Sequence, residues 1–142
     1  MLLKRKLGKS DLELTTIGLG SWGLGGAGWE YSWGHQDDQE TEATIHRALE
    51  CGINWIDTAP VYGLGHAEEI IGKLVAGLKE KPLIATKCGL IWNDHKEILP
   101  CLTRESVRKE CENSLKRLRI DRIDLYQIHW PRPVEQVEEA WE

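Results

Sequence analysis

The chain has 142 residues, of which 41% are hydrophobic and 29% charged, a balance typical of a single globular domain. Its net charge of −5 argues against a nucleic-acid partner, which requires a basic surface. No apolar run approaches the roughly 20 residues that cross a bilayer, and the N-terminal residues are charged where a signal peptide has its apolar core. We therefore expect a cytoplasmic protein without membrane or nucleic-acid partners.

The cysteines have neither CxxC spacing nor the His/Cys spacing of a zinc finger. We expect free thiols in a reducing compartment, because disulfides follow oxidising compartments, and we expect no metal site. The four cysteines are Cys51, Cys88, Cys101 and Cys111.

The chain begins with a predicted hairpin, in which residues 4–7 and 12–15 alternate weakly around a turn at 8–11. A short strand at residues 16–20 follows and leads into a loop rich in glycine and aromatic residues.

Three glycines in this region, Gly18, Gly20 and Gly23, fit the spacing GxGxxG of dinucleotide-binding folds. That motif requires a helix to open at the third glycine, and no helical pattern begins until after His35. The sequence therefore predicts a wide strand-to-helix loop here rather than a dinucleotide-binding turn.

Four helices alternate with the predicted strands. Asp37, followed by Glu40, has the spacing of an N-terminal cap for the first helix. Residues 66–78 are predicted to form the second helix. Thr103 is the predicted cap of the third, and Pro133 suits the first turn of a fourth. The buried positions of the third and fourth helices are predicted to be Val107, Cys111, Leu115 and Leu118, and then Val134, Val137 and Trp141, with Glu105, Glu110 and Glu112 on a solvated face.

Strands that alternate with helices favour parallel pairing with right-handed crossovers. The strands are expected near residues 16–20, 53–57, 83–87 and 124–129, and residues 88–100 are expected to be a polar loop.

Ionisable residues stand where three of these strands end. Asp57, Lys87 and His129 each close an apolar run, and Tyr62 lies in the turn after Asp57. The carboxyl ends of parallel strands converge on one face. A carboxylate holds a lysine charged, and a neighbouring ammonium favours the ionised phenol. Together with a histidine donor, such groups can protonate a carbonyl oxygen as it becomes an alkoxide.

These four residues and their flanks, GINWIDTAPVYG, IATKCG and DLYQIHWP, resemble the catalytic tetrad of the aldo-keto reductases. The resemblance implies a TIM (β/α)8 barrel that reduces aldehydes or ketones with NADPH. Tyr62 would be the general acid, Lys87 braced by Asp57 would activate it, and His129 would orient the small-molecule carbonyl substrate. It also implicates Gly20, Ser21, Trp22 and Asp57 near the nicotinamide.

Tryptophans follow three strand ends, and their positions favour an aromatic wall of the substrate pocket, since ligand pockets are mostly apolar. These residues are Trp22, Trp92 and Trp130.

A complete barrel takes roughly 250 residues, so we expect residues 1–142 to be the N-terminal portion of one domain. This half barrel would have about four βα units after a β-hairpin, and most of the NADPH site would lie in the absent half. Two alternatives stay open: an inactive fragment, and a non-enzymatic binding or regulatory barrel. If the half barrel is the native chain, its open edges favour a homo-oligomer.

Overall fold

A computed structural model of the chain describes residues 2–142, so of the predicted domain only Met1 lies outside the described residues. The elements in chain order are β1 (Lys4–Lys6), β2 (Glu13–Thr15), β3 (Leu19–Gly20), a 3-10 turn (Trp22–Gly25), α1 (Asp38–Glu50), β4 (Trp55–Asp57), α2 (His66–Ala76), β5 (Leu83–Cys88), β6 (Leu90–Trp92), β7 (Ile98–Pro100), α3 (Arg104–Leu118), β8 (Leu125–Ile128), a second 3-10 turn (Val134–Gln136) and α4 (Val137–Trp141).

The central sheet has four parallel strands in the order β3-β4-β5-β8. Each strand is followed by helical structure before the next, which confirms the predicted parallel βα architecture. In this register Gly20 lies beside Asp57, and Lys87 lies beside Gln127. The hairpin of β1 and β2 is antiparallel, as predicted.

Side-chain caps start two helices at the predicted residues. The Asp37 carboxylate accepts the backbone N–H groups of Gln39 and Glu40 at 2.8 and 3.1 Å, and the Thr103 hydroxyl accepts that of Ser106 at 3.3 Å. Each cap satisfies donors that have no partner within the helix.

A core of aliphatic side chains fills the space between the outer face of the sheet and the first three helices. Ile56 on β4 and Ile84 on β5 meet the apolar stripe of α2 there, and burial of such side chains is the main force that holds helix to sheet. The buried members are Ile45, Ile56, Ile70, Ile71, Leu74, Val75, Ile84 and Leu118.

The predicted polar loop at residues 88–100 is wrong in part, because β6 and β7 form an antiparallel hairpin within it. Leu90 pairs with Pro100 and Trp92 with Ile98. The turn between them is closed by the Asn93 side chain, which accepts the N–H of His95 and of Glu97. Apolar residues on both sides of this polar turn give the hairpin a face to bury.

The predicted inner face of α3 also needs correction. Glu110 is only 7% exposed and therefore does not belong to a solvated face. It is buried together with Ser114 and Leu118, whereas Val107, Cys111 and Leu115 are half-buried. A carboxylate can occupy this position because it accepts hydrogen bonds from the Gly89 N–H and the Ser106 hydroxyl.

The end of the chain departs from its predicted helix. The 3-10 turn Val134–Gln136 precedes α4, and the proposed stripe is not buried: Val134 and Trp141 are largely exposed. Within residues 2–142, the outer edges of β3 and β8 have no paired strand. No helix of this part of the chain is long and apolar enough to span a membrane.

Candidate active site

An ion pair joins the ends of the two central strands. The Lys87 Nζ donates to both oxygens of Asp57, at 2.9 and 2.8 Å, and to the backbone carbonyl of Thr58 at 2.9 Å. Asp57 also lies 3.5 Å from the side-chain amide of Gln127. The ammonium is mostly buried, with its side chain 13% exposed, so its position is fixed by these acceptors.

Tyr62 lies against this ion pair. Its hydroxyl oxygen is 3.4 Å from the Lys87 Nζ, and the ammonium is 5.1 Å from the centre of the ring. The turn that carries Tyr62 leads directly into α2, and its backbone carbonyl accepts the N–H of Ala67 at 3.2 Å. The Tyr62 side chain is therefore buried, and the backbone of Tyr62 is fixed to the first turn of α2.

His129 completes the group from the end of β8. Its ring stands edge-on to that of Tyr62, with 5.7 Å between centroids. Burial, and to a smaller extent the charge of Lys87, lower the pKa of His129 to about 4, against the opposing effect of Asp57. The imidazole is thus neutral near pH 7 and can donate a hydrogen bond without carrying charge.

The loop after β3 is docked to the Tyr62 turn by main-chain atoms. A Cβ at Gly25 would lie only 2.7 Å from the backbone nitrogen of Gly63, and Gly63 has a φ of +65°. A side chain at either position would push the segments apart. Further along, Asp38 at the start of α1 contacts His66 at the start of α2, at 2.9 Å.

This docked loop supplies most of an aromatic wall around Tyr62. Trp22 stacks on Tyr62 with 6.3 Å between centroids, and Trp29 lies at 6.2 Å. Tyr31 stands edge-on to Trp29, with 6.1 Å between ring centroids, and edge-on to Trp130, with 6.3 Å. They enclose a cavity of about 110 Å³, lined by Trp22, Trp29, Tyr31, Val61, Tyr62, Leu90, His129 and Trp130.

Two of the three tryptophans expected in the pocket, Trp22 and Trp130, therefore line it, and Trp92 does not. Trp92 lies on β6, under the guanidinium of Arg117 at 5.9 Å, and lines a separate cavity of about 410 Å³ against α3. The reason is the β6–β7 hairpin, which carries residue 92 away from the strand ends.

Of the residues expected near the nicotinamide, Trp22 lines this cavity, whereas Gly20 and Ser21 lie beside Asp57. Ser21 is fully buried, donates its N–H to the Asp57 carbonyl at 2.9 Å, and its hydroxyl has no hydrogen-bond partner. Gly20 has open space where a Cβ would stand. The Thr58 hydroxyl is likewise buried without a partner. These unpartnered hydroxyls beside Asp57 fit the polar amide end of a nicotinamide.

Trp29 and Tyr31 are pocket residues that sequence reasoning missed. The glycine-rich loop has no period of 2 or 3.6, so nothing in its pattern tells which aromatic side chains turn inward. Their only signal was the density of aromatic residues after a strand end. Among residues 2–142, no group of three or more His, Cys, Asp or Glu side chains is placed to hold a metal ion.

The model of the Aldo/keto reductase family matches residues 16–142. The chain belongs to the aldo/keto reductase family.

Known members are similar over nearly the whole chain. An aldo-keto reductase of Bacillus subtilis is 43% identical over 94% of this chain and 39% of the relative. An Escherichia coli protein named NADH-specific methylglyoxal reductase is 40% identical over 89% of this chain and 41% of the relative. The chain thus spans about two fifths of the length of these relatives.

Solved aldo-keto reductases confirm the half-barrel fold. A glycerol dehydrogenase from Gluconobacter oxydans superposes with a TM-score of 0.83 at 44% identity, covering 96% of this chain and 42% of that one. An aldo-keto reductase from Klebsiella pneumoniae in complex with NADPH gives a TM-score of 0.66 at 29% identity, covering 90% and 40%.

Proposed function

We propose that this chain provides the proton-handling part of a nicotinamide-dependent reductase that converts aldehydes or ketones to alcohols. One observation carries the proposal: a single ammonium, Lys87, bridges the Asp57 carboxylate and the Tyr62 hydroxyl, at 2.8 and 3.4 Å. A purely structural ion pair does not require a phenol between its ammonium and a cavity, which is where Tyr62 lies.

In this proposal Tyr62 gives its proton to the carbonyl oxygen as the carbonyl carbon is reduced. The Lys87 ammonium stabilises the negative charge that remains on the phenol oxygen, and Asp57 holds that ammonium in place. The neutral imidazole of His129 donates a hydrogen bond to the same carbonyl oxygen and orients it toward Tyr62. The aromatic wall excludes water from the reacting groups.

The cofactor in this proposal is NADPH or NADH. A reduced nicotinamide, when bound, supplies the hydride that is added to the carbonyl carbon. Ser21, Gly20 and Trp22 would hold its amide and ring beside Asp57. The NADPH complex of the Klebsiella pneumoniae neighbour favours NADPH, whereas the name of the Escherichia coli relative favours NADH, so the preference is best tested with both.

A chimera tests the proposal because the chain spans 39% of the Bacillus subtilis relative. Residues 1–142 would replace the matching segment of that relative, and methylglyoxal reduction would be followed as the loss of NADPH or NADH absorbance. We expect turnover that falls by about 10²–10⁴-fold in Tyr62→Phe, the range of a lost general acid, while cofactor binding measured by tryptophan fluorescence is unchanged.

The chain alone and a second variant provide the controls. Residues 1–142 without the remainder should bind NADPH weakly, because each charge-assisted phosphate contact is worth roughly 1.5–3 kcal/mol. Trp92→Leu, outside the pocket, should leave turnover in the chimera within about twofold. A folded chimera that binds cofactor and shows no turnover would favour a binding barrel instead. Full activity in Tyr62→Phe would exclude Tyr62 as the general acid.

A further inference from the structure

Glu68 is a fully buried carboxylate on the first turn of α2, with 0% of its surface exposed. One of its oxygens accepts the Thr86 hydroxyl at 2.7 Å, and the other accepts the Arg117 Nε at 2.7 Å. It therefore ties α2 to strand β5 and to α3 at once. Glu68 lies on the outer face of the sheet and has no contact with the cavity beside Tyr62.

Both ends of this connection lie next to a residue of the candidate site. Thr86 directly precedes Lys87 on β5, and its side chain points to the opposite face, as strand alternation requires. On the helix side, the Ala67 N–H, one residue before Glu68, donates to the Tyr62 carbonyl. A short path of bonds thus runs from Tyr62 through Glu68 to the strand that carries Lys87.

A second buried carboxylate, Glu110, holds the residue directly after the same strand without this link. It accepts the N–H of Gly89 at 2.9 Å and the hydroxyl of Ser106 at 3.0 Å, and burial raises its pKa above the ordinary value for a glutamate. Glu110 belongs to α3, which carries none of the four site residues. It can stabilise β5, but it does not fix β5 relative to the Tyr62 turn.

We propose that Glu68 is a positioning residue that sets the separation between the Tyr62 hydroxyl and the Lys87 ammonium, through its hydrogen bond to Thr86. The inference rests on the proposed function, because that separation matters only if the two groups act together. The Arg117 guanidinium pairs with the other oxygen of this carboxylate at 2.7 Å, so the bond to Thr86 belongs to a buried ion-pair network.

The chain contains its own pair of reporters for this inference. Tyr62 is buried in the turn before α2, and Tyr126 is half-buried on β8, where its hydroxyl lies 3.4 Å from the Val107 carbonyl on α3. Hydroxyl-radical footprinting of residues 1–142, read by mass spectrometry of the two tyrosine peptides, measures the exposure of each side chain without requiring turnover.

Thr86→Val removes only the hydroxyl, and Glu68→Gln removes the charge. In both variants we expect oxidation of Tyr62 to rise about fivefold, the effect of one lost hydrogen bond, with Tyr126 unchanged within about twofold. Thr86→Ser keeps the hydroxyl and should restore the original Tyr62 rate. In Glu110→Gln we expect the opposite pattern, in which oxidation of Tyr126 rises and that of Tyr62 does not.

Equal acceleration at both tyrosines in Thr86→Val and Glu68→Gln would show that Glu68 merely stabilises the fold, and would overturn the inference. An unchanged Tyr62 rate in a folded Thr86→Val would also overturn it. Since neither result depends on catalysis, failure here is distinct from failure of the chimera to reduce a carbonyl.

Discussion

The two central strands and the two edge strands of the sheet hold the site in different ways. β4 and β5 are paired on both sides, and they carry Asp57 and Lys87, which meet in a short ion pair. β3 and β8 are paired on one side only, and they lead to the aromatic wall and to His129. Backbone pairing within this chain therefore fixes the charged pair, whereas the pocket is built where the sheet is open.

The same contrast appears in burial. Ile56 on β4 is completely buried, while all four residues of β8 are half-buried. Exposed edges offer unpaired N–H and C=O groups to any strand that approaches. Whether the backbone groups of β3 and β8 are paired therefore depends on a neighbouring strand.

The largest expected effect concerns those edges. We predict that residues 1–142 form dimers or larger assemblies at micromolar concentration, because the edges of β3 and β8 pair with those of another copy. A micromolar dissociation constant corresponds to an association free energy of about 8 kcal/mol. Light scattering across a concentration series measures this. The chimera with the Bacillus subtilis remainder serves as the control. It should form smaller assemblies, since the remainder covers the edges of β3 and β8. A monomeric chain at all concentrations would contradict the prediction.

The next largest effect is the difference in packing between a central and an edge strand, measured by the same Ile→Ala substitution in each. Ile56→Ala should lower the free energy of unfolding by about 3–4 kcal/mol, and Ile128→Ala by about 1–2 kcal/mol, because a completely buried site loses both transfer free energy and packing. Urea unfolding followed by tryptophan fluorescence gives both values. Equal losses would mean that β8 is as well packed as β4.

A third effect is a dependence of stability on pH from His129 at the edge. The imidazole takes up a proton near pH 6.5 in the unfolded chain, whereas its pKa in the fold is lowered to about 4 by burial and by Lys87. Between these values the unfolded state binds more protons, so stability falls as the pH decreases from about 6.5 to 4. His129→Gln should flatten that part of a melting-temperature profile; an unchanged slope would place the titration elsewhere.

The sequence predicted those features that have a local signal. Strand ends at Asp57 and Lys87 followed from apolar runs closed by a charge, and the caps at Asp37 and Thr103 followed from side chains that can accept backbone N–H groups. Flanks matched to a known family then predicted the barrel, which the solved relatives confirm.

Other features depend on contacts that have no local signal. Glu110 resembles any surface glutamate of a charged helix, and its burial depends on hydrogen bonds from the Gly89 N–H and the Ser106 hydroxyl. Trp92 follows a strand end as Trp22 does, but a hairpin turns it away. That hairpin did have a signal, two apolar triplets around Asn93, which was outweighed by the polar residues between them. The roles of the four site residues stay predictions until the chimera is assayed.

The glycine contact between the aromatic loop and the Tyr62 turn has a consequence for how this pocket can change. Gly25 and Gly63 meet through main-chain atoms, so this one contact uses none of the side chains that the loop presents. Exchange of Trp22 or Trp29 removes an indole hydrogen bond within the loop, to the carbonyl of Tyr31 or Gly26, but leaves the glycine contact in place. Substrate preference can therefore diverge at the wall while the proton-transfer groups behind it keep their geometry.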